Sequence, residues 1–335
     1  MAQRASCAVN GKVACTLTDN GKCQFATHAG IRPNERRKYK VQAAFGFAAP
    51  TCKQPAISFN ICALFFHEHI MPAIEFQNVV FAYGDRTILK NVNFVIEQGK
   101  FAAILGGSGS GKTTMMRLIT GQLRPSSGKV LVNGEDLAQF SAQKMQAHRR
   151  NMGVLFQHGA LFTDLSVEEN IMFPMRELTK LPPEVMRDLA VLKLNAVGLH
   201  GVEKLMPSEL SGGMARRVAL ARTIALDPQL MLFDEPFTGL DPISLGVIAH
   251  LIYRVTKALR STSVMVTHDV GHSLQLVDQI IFLAHGEILF SGSPEEMVQS
   301  DSAWIKQFVG GLPNGPVAFR YPADKDMRET MLGRS

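Results

Sequence analysis

The run FAAILGGSGSGKT, residues 101–113, decides the fold. FAAIL is a continuous apolar stretch, the pattern of a strand buried on both faces. It leads directly into GGSGSGKT (106–113), which fits G-x-x-x-x-G-K-[ST], a P-loop. Glycines there let backbone N–H groups turn inward around phosphates, and the helix that follows adds its positive N-terminal end. Gly106, Gly107, Ser108, Gly109, Ser110, Gly111, Lys112, Thr113 and Thr114 are therefore the candidate phosphate contacts. Lys112 would reach the β- and γ-phosphates, and the Thr113 hydroxyl would ligate Mg²⁺. A ligand-free glycine turn is the plainer alternative, but strand, loop and helix follow in the order a nucleotide needs.

About a hundred residues downstream lies LSGGMARRVALARTIALDPQLMLFDEPFTGLD, residues 210–241. Ser211 reads as an N-cap, with Gly212 and Gly213 leaving amides free at the start of a helix that runs to about Leu226. A second anion site makes little sense for one nucleotide on one chain, and good sense if it serves a nucleotide held by another copy. Arg216, Arg217 and Arg222 on that helix read as solvated charges or packing. LMLF (230–233) is a buried strand closing on two acids. Asp234 fits the acid that holds Mg²⁺ through water, and Glu235 can act as general base toward the attacking water. Acids also cap strand ends for solubility, yet two of them in a chain with a P-loop favour chemistry.

The remaining chain frames these stretches. Alternating runs at 74–81 and 91–96, and GKVLVN at 128–133, predict an antiparallel β subdomain. MGVLF (152–156) reads as a strand stopping at Gln157. Residues 158–209 contain no strand-like run; two helices, near 167–177 and 183–197, are punctuated by Pro174, Pro182, Pro183, Gly198 and Pro207. This is a helical subdomain, about 158–212 with its link, inserted into an α/β core. Pro242 opens a long helix to about Leu259, and SVMVT (263–267) is a strand ending at His268, where α/β folds place ligand-binding groups. Strands near 279–284 and 287–291 and one helix from Pro294 to about Val309 complete the domain.

Charge and cysteine separate the N-terminal segment from this body. Of the 335 residues, the first 70 hold nine Lys or Arg against three acids, so the whole net charge of +6 lies there. The body is neutral, which argues against nucleic acid as its partner. All five cysteines (Cys7, Cys15, Cys23, Cys52, Cys62) are also in that segment, at spacings that match no zinc site. No run approaches the roughly 18 apolar residues of a membrane span, and no secretory h-region is present. The domains are thus expected as 1–70, a disordered extension or translation begun upstream of a true start at Met71; 71–310, the α/β domain; and 311–335, a Pro/Gly-rich tail.

Together GGSGSGKT, Gln157, LSGGM, LMLFDE, GLD and His268 resemble the nucleotide-binding domain of ABC transporters, over residues 74 to about 300. The resemblance implies a P-loop ATPase with ATP and Mg²⁺ as cofactors, acting as a sandwich homodimer. By that likeness Tyr83 stacks on adenine and Gln157 senses Mg²⁺ and the attacking water. Ser211 and Gly213 contact the γ-phosphate across the dimer, with Gly212 between them; Asp241 lines that interface, and His268 contacts the γ-phosphate beside Glu235. The common signature ends in Gln where this chain has Met214. LSGGMARR, FQHGALF (156–162), VEEN (167–170) and the tail GPVAFRYPA (315–323) are similar to the branch of the family that moves phospholipids between the membranes of Gram-negative bacteria. That branch implies an integral membrane permease, a small STAS-domain protein on the helical subdomain, and a place on the cytoplasmic side of the inner membrane. It also implies that Arg320, Tyr321 and Pro322 pack on the partner ATPase. The alternatives are another importer's ATPase, such as one for amino acids, and a non-transport ABC ATPase acting on DNA or ribosomes. The latter commonly carries coiled-coil insertions or two nucleotide domains, which this chain lacks.

Overall fold

The computed structural model describes residues 72–157 and 159–317, together with the backbone of 6–9, 13–17 and 23–27. The chain divides into two compact units, 1–66 and 67–335. In the first, β1 (Ser6–Val9), β2 (Val13–Leu17) and β3 (Cys23–Thr27) pair as a small antiparallel sheet.

In the second unit β4 (Pro72–Tyr83) and β5 (Arg86–Glu97) form a hairpin, joined by β7 (Ser127–Val132) and β8 (Glu135–Asp136) in an antiparallel sheet of order β5-β4-β7-β8. A six-stranded sheet of order β13-β12-β6-β11-β10-β9 forms the centre. Its strands are β6 (Phe101–Leu105), β9 (Met152–Leu155), β10 (Leu230–Asp234), β11 (Thr262–Thr267), β12 (Gln279–Ala284) and β13 (Glu287–Gly292), with only β13 antiparallel to its neighbour. The helices are α1 (Lys112–Ile119), α2 (Ala142–Arg150), α3 (Val167–Leu178), α4 (Pro183–Ala196), α5 (Gly212–Thr223), α6 (Pro242–Leu259), α7 (Val270–Leu276), α8 (Pro294–Val298) and α9 (Ala303–Gly310).

The apolar runs explain the layering. Successive side chains of a strand point to opposite faces, so a strand apolar throughout needs cover on both. In β6, Phe101, Ala103 and Leu105 join a core with the helices α3, α4, α5 and α6, while Ala102 and Ile104 join a second core with α1 and the antiparallel sheet. The strand β10 divides the same way, Met231 and Phe233 to one side and Leu230 and Leu232 to the other. Burying one such Leu or Phe is worth about 1.5–3 kcal/mol, so this sheet anchors everything built on its edge.

The helix expected near 167–177 is α3, which runs through Pro174, started by a Ser166–Glu169 capping box and held by buried Ile171 and Met175. One boundary reading is corrected. The expected single helix 294–309 is two, with Ser300 accepting the Ser302 amide (3.3 Å) in the turn between α8 and α9. The helix α7, unanticipated, starts where Asp269 accepts the His272 amide at 2.9 Å. Among the described residues no helix is long and apolar enough to cross a membrane. The tail reading that rests on Arg320, Tyr321 and Pro322 lies outside the described residues.

Candidate active site

The strand order brings three strand tips side by side. In β11, which lies between β6 and β10, Thr267 pairs with Leu105 and Val266 with Asp234. The P-loop, the two acids and His268 therefore emerge at one edge, at the carboxyl ends of parallel strands where open α/β sheets bind ligands.

The P-loop is built by steric necessity. A Cβ on Gly106 would sit 2.2 Å from the Leu283 carbonyl oxygen. Gly111, with φ +110°, occupies backbone space that favours glycine and caps α1 without any side-chain bond, leaving the first amides of that helix unclaimed. Ile88 and Leu89 press on Gly111 from the β4–β5 hairpin. Tyr83 stands half exposed at the tip of β4, edge-on to Phe81 at 4.8 Å. The far side of the loop borders a hollow of about 410 Å³ that also meets Trp304 and Phe308.

Lys112 is buried, and its Nζ donates to the carbonyls of Gly106 and Gly107, each at 2.9 Å. Burial lowers its pKa, while Glu235 and Asp234 pull it back up. The Asp234 carboxyl is held above its ordinary range, first by burial and then by Glu235, with Arg117 and Lys112 opposing. The charge of Arg117, on α1, acts on Asp234 at a distance, and its helix position carries no local sign of an acid so far along the chain.

Glu235 is the strained residue. Its φ is +45°, rare for a side chain this size, and its amide donates to the Val266 carbonyl at 2.8 Å, locking the turn after β10. Nδ1 of His268 comes within 2.9 Å of Glu235 Oε2, yet off a hydrogen-bonding angle, so that buried oxygen has no donor among the described residues. Ser110 Oγ is likewise buried and unpartnered. Buried polar atoms without partners are costly in a folded chain and mark the place of a missing polar ligand.

The second group stands apart. Ser211 caps α5 by accepting the Met214 amide at 3.2 Å, and the helix ends at Thr223, short of Leu226. Gly213 lies against Ser244, whose amide donates to Asp241 Oδ1 at 3.0 Å; Asp241 caps α6 and also accepts from Ile243 at 3.0 Å. The Ser244 hydroxyl first, and then these amides, hold its carboxyl below the usual range. Among the described residues no hydrogen bond joins Ser211, Gly212 or Gly213 to the P-loop. The reading of the α5 arginines as solvated or packing charges needs correction. Arg216 is buried and donates to the carbonyls of Phe156 (3.1 Å), Gln157 and Thr238 (3.1 Å). Arg222 donates to Gly159 (2.7 Å) and Ala160 (2.8 Å). Gln157 is thereby fixed through its main chain.

The geometry agrees with kinship. The ABC transporter family model matches residues 89–238. The intermembrane phospholipid transport system ATP-binding protein MlaF of Haemophilus influenzae is 50% identical over 256 residues, 76% of this chain and 97% of that protein. This chain belongs to the ABC transporter ATP-binding family. MlaF of Escherichia coli K12 is 46% identical over 250 residues, covering 75% of this chain and 93% of its own. Among solved structures, the ATP-binding cassette MJ0796 in a dimeric post-hydrolysis state bound to ADP and Pi superposes with TM-score 0.61 at 30% identity, over 66% of this chain and 98% of that one. As a family member the chain is an α/β P-loop ATPase that binds and hydrolyses ATP.

Proposed function

We propose that this ABC ATPase drives a transporter that moves phospholipids between the inner and outer membranes, maintaining outer-membrane lipid asymmetry. The observation that carries the reading is 46–50% identity to MlaF proteins over nearly their whole length. The Met214 variant of the signature and the VEEN start of α3 support it.

The residues act in named roles. Two copies face each other with two nucleotides between them. The amides of residues 106–114 and Lys112 hold the phosphates of one ATP, while Tyr83 stacks on its adenine. Ser211, Gly212 and Gly213 of the opposite copy close on the γ-phosphate, and Asp241 lines the seam. Glu235 takes a proton from the attacking water, and His268 steadies the γ-phosphate. Thr113, Asp234 and Gln157 would hold Mg²⁺. One carboxylate, a hydroxyl and the substrate's own phosphates are the oxygen ligands Mg²⁺ favours. When bound, it would neutralise charge on the phosphate oxygens.

The partners in this reading are a second copy of the chain, an integral MlaE-like permease and a small MlaB-like STAS-domain protein on the helical subdomain. The site of action is the cytoplasmic side of the inner membrane, peripheral through the permease. Co-expression with an MlaE-like permease, purification and lipid mass spectrometry test it. Bound phospholipid and phospholipid-stimulated hydrolysis are expected. Stimulation by an amino acid with no bound lipid would make the chain another importer's ATPase.

A further inference from the structure

We propose that Arg216 is a positioning residue that couples the two nucleotide sites of the dimer, by tying the signature helix at once to the Gln157 segment and to the Thr238–Asp241 segment. Three separate pieces of chain meet at its guanidinium. Nη1 donates to the Phe156 and Gln157 carbonyls at the end of β9, and Nη2 to the Thr238 carbonyl between β10 and α6. The side chain is only 6% exposed, and no carboxylate pairs with it among the described residues. Burying an unpaired cation is costly, and a similar-sized apolar residue would fill the space more cheaply. What an apolar residue could not do is hold three carbonyls in one plane, which the rigid guanidinium fork does.

The direction of the coupling follows from the helix. Ser211 caps the same α5 that carries Arg216, so any shift of that N-terminus toward the opposite copy's nucleotide moves Arg216 with it. The displacement is passed to Gln157, beside this copy's own nucleotide, and to Thr238, just before the interface residue Asp241. Thr238 Oγ1 is buried without a partner among the described residues, so the bonds at this point are the Arg216 bond to its carbonyl and that of its amide to the Glu235 carbonyl at 3.3 Å. Arg222 provides the contrast. Its bonds go to Gly159, Ala160 and Asn170, all on the subdomain side, and none reaches the Thr238 segment.

The inference rests on the two-chain site proposed above, which trapping of a Glu235→Gln dimer by ATP tests independently. The decisive experiment measures ATP hydrolysis against ATP concentration for the full chain, in wild type, Arg216→Lys, Arg216→Gln and Arg222→Lys, with a thermal melt of each. Expected for both Arg216 variants is a kcat lower by about tenfold or more, KM within about threefold, and a Hill coefficient falling from near 2 to near 1, with melting within about 3 °C of wild type. Arg222→Lys should keep the wild-type Hill coefficient. A folded Arg216 variant with undiminished cooperativity overturns the proposal, as does a wild type without cooperativity. Variants that all melt far lower and lose kcat and KM together would make Arg216 a packing residue only. If Glu235→Gln traps no dimer, the two-chain site itself fails; if it traps one while Arg216 variants stay cooperative, only the coupling role fails.

Discussion

The Nδ1 atom of His268 lies 2.9 Å from Oε2 of Glu235, the two residues following adjacent parallel strands. That Glu235 oxygen has no hydrogen-bond donor among the described residues, and the backbone carrying it is held at φ +45°. In the proposed function this pair faces the γ-phosphate and its attacking water.

Replacing Glu235 with Gln removes the proton acceptor while keeping shape and hydrogen-bonding capacity. The turnover rate should fall by about 10²–10⁴-fold with ATP affinity little changed, and ATP should trap a dimer visible by size-exclusion chromatography. Wild-type turnover in this variant would take Glu235 out of the reaction. His268→Ala should lower turnover less, and likewise leave binding largely intact.

Asp234 carries a pH prediction. Its pKa in the folded chain is raised above 3.8, mainly by burial and by Glu235, so the folded state holds its proton more tightly than the unfolded one. Stability therefore falls as pH rises from 3.8 through the raised value, and at pH 7 the full cost of the ionised carboxylate is present. Without nucleotide, Asp234→Asn should melt above wild type at pH 7, with the gap narrowing toward pH 4, while hydrolysis is lost. A nucleotide-free variant melting below wild type at pH 7 would contradict this origin.

Gly106 has no room for a side chain. A Cβ there meets the backbone oxygen of Leu283 at 2.2 Å, and neither partner is a flexible tip. Gly106→Ala should displace the loop, cost about 1–3 kcal/mol of stability and abolish binding of a fluorescent ATP analogue. Retained binding would show that the loop yields without losing its amide cradle.

Asn170 holds the segment after Gln157. It is fully buried; its Nδ2 donates to the carbonyls of Phe162, Leu165 and Ser166 at 3.0 Å each, and its Oδ1 accepts the Phe162 amide at 2.9 Å. Asn170→Ala orphans those groups and should destabilise the chain by about 2–4 kcal/mol in denaturant unfolding. Asn170→Asp, which gives up the donors but keeps an acceptor, should also destabilise; wild-type stability in both would make these bonds dispensable.

The legible parts of this protein are those whose cause is local. The apolar run 101–105, the glycines of 106–111 and the acids at 234 and 235 each state their role within a few residues, because strand burial, backbone freedom and charge at a strand tip are short-range matters. The β and α boundaries followed from the same periodicities, with a miss where the last helix proved to be two.

By itself the sequence determined the P-loop, its partner acids, the layered α/β core and the family. Only the tertiary structure decided which groups act on one another. His268 meets Glu235 because β11 lies beside β10, and the charge of Arg117 is felt at Asp234 although the two stand far apart along the chain. Arg216, one of two adjacent arginines in MARR, became a clasp because its acceptors lie some 60 residues upstream at Phe156 and Gln157, and 22 downstream at Thr238. A hydrogen bond depends on distance in space, and separation along the chain carries no trace of it until the sheet has set the strand order.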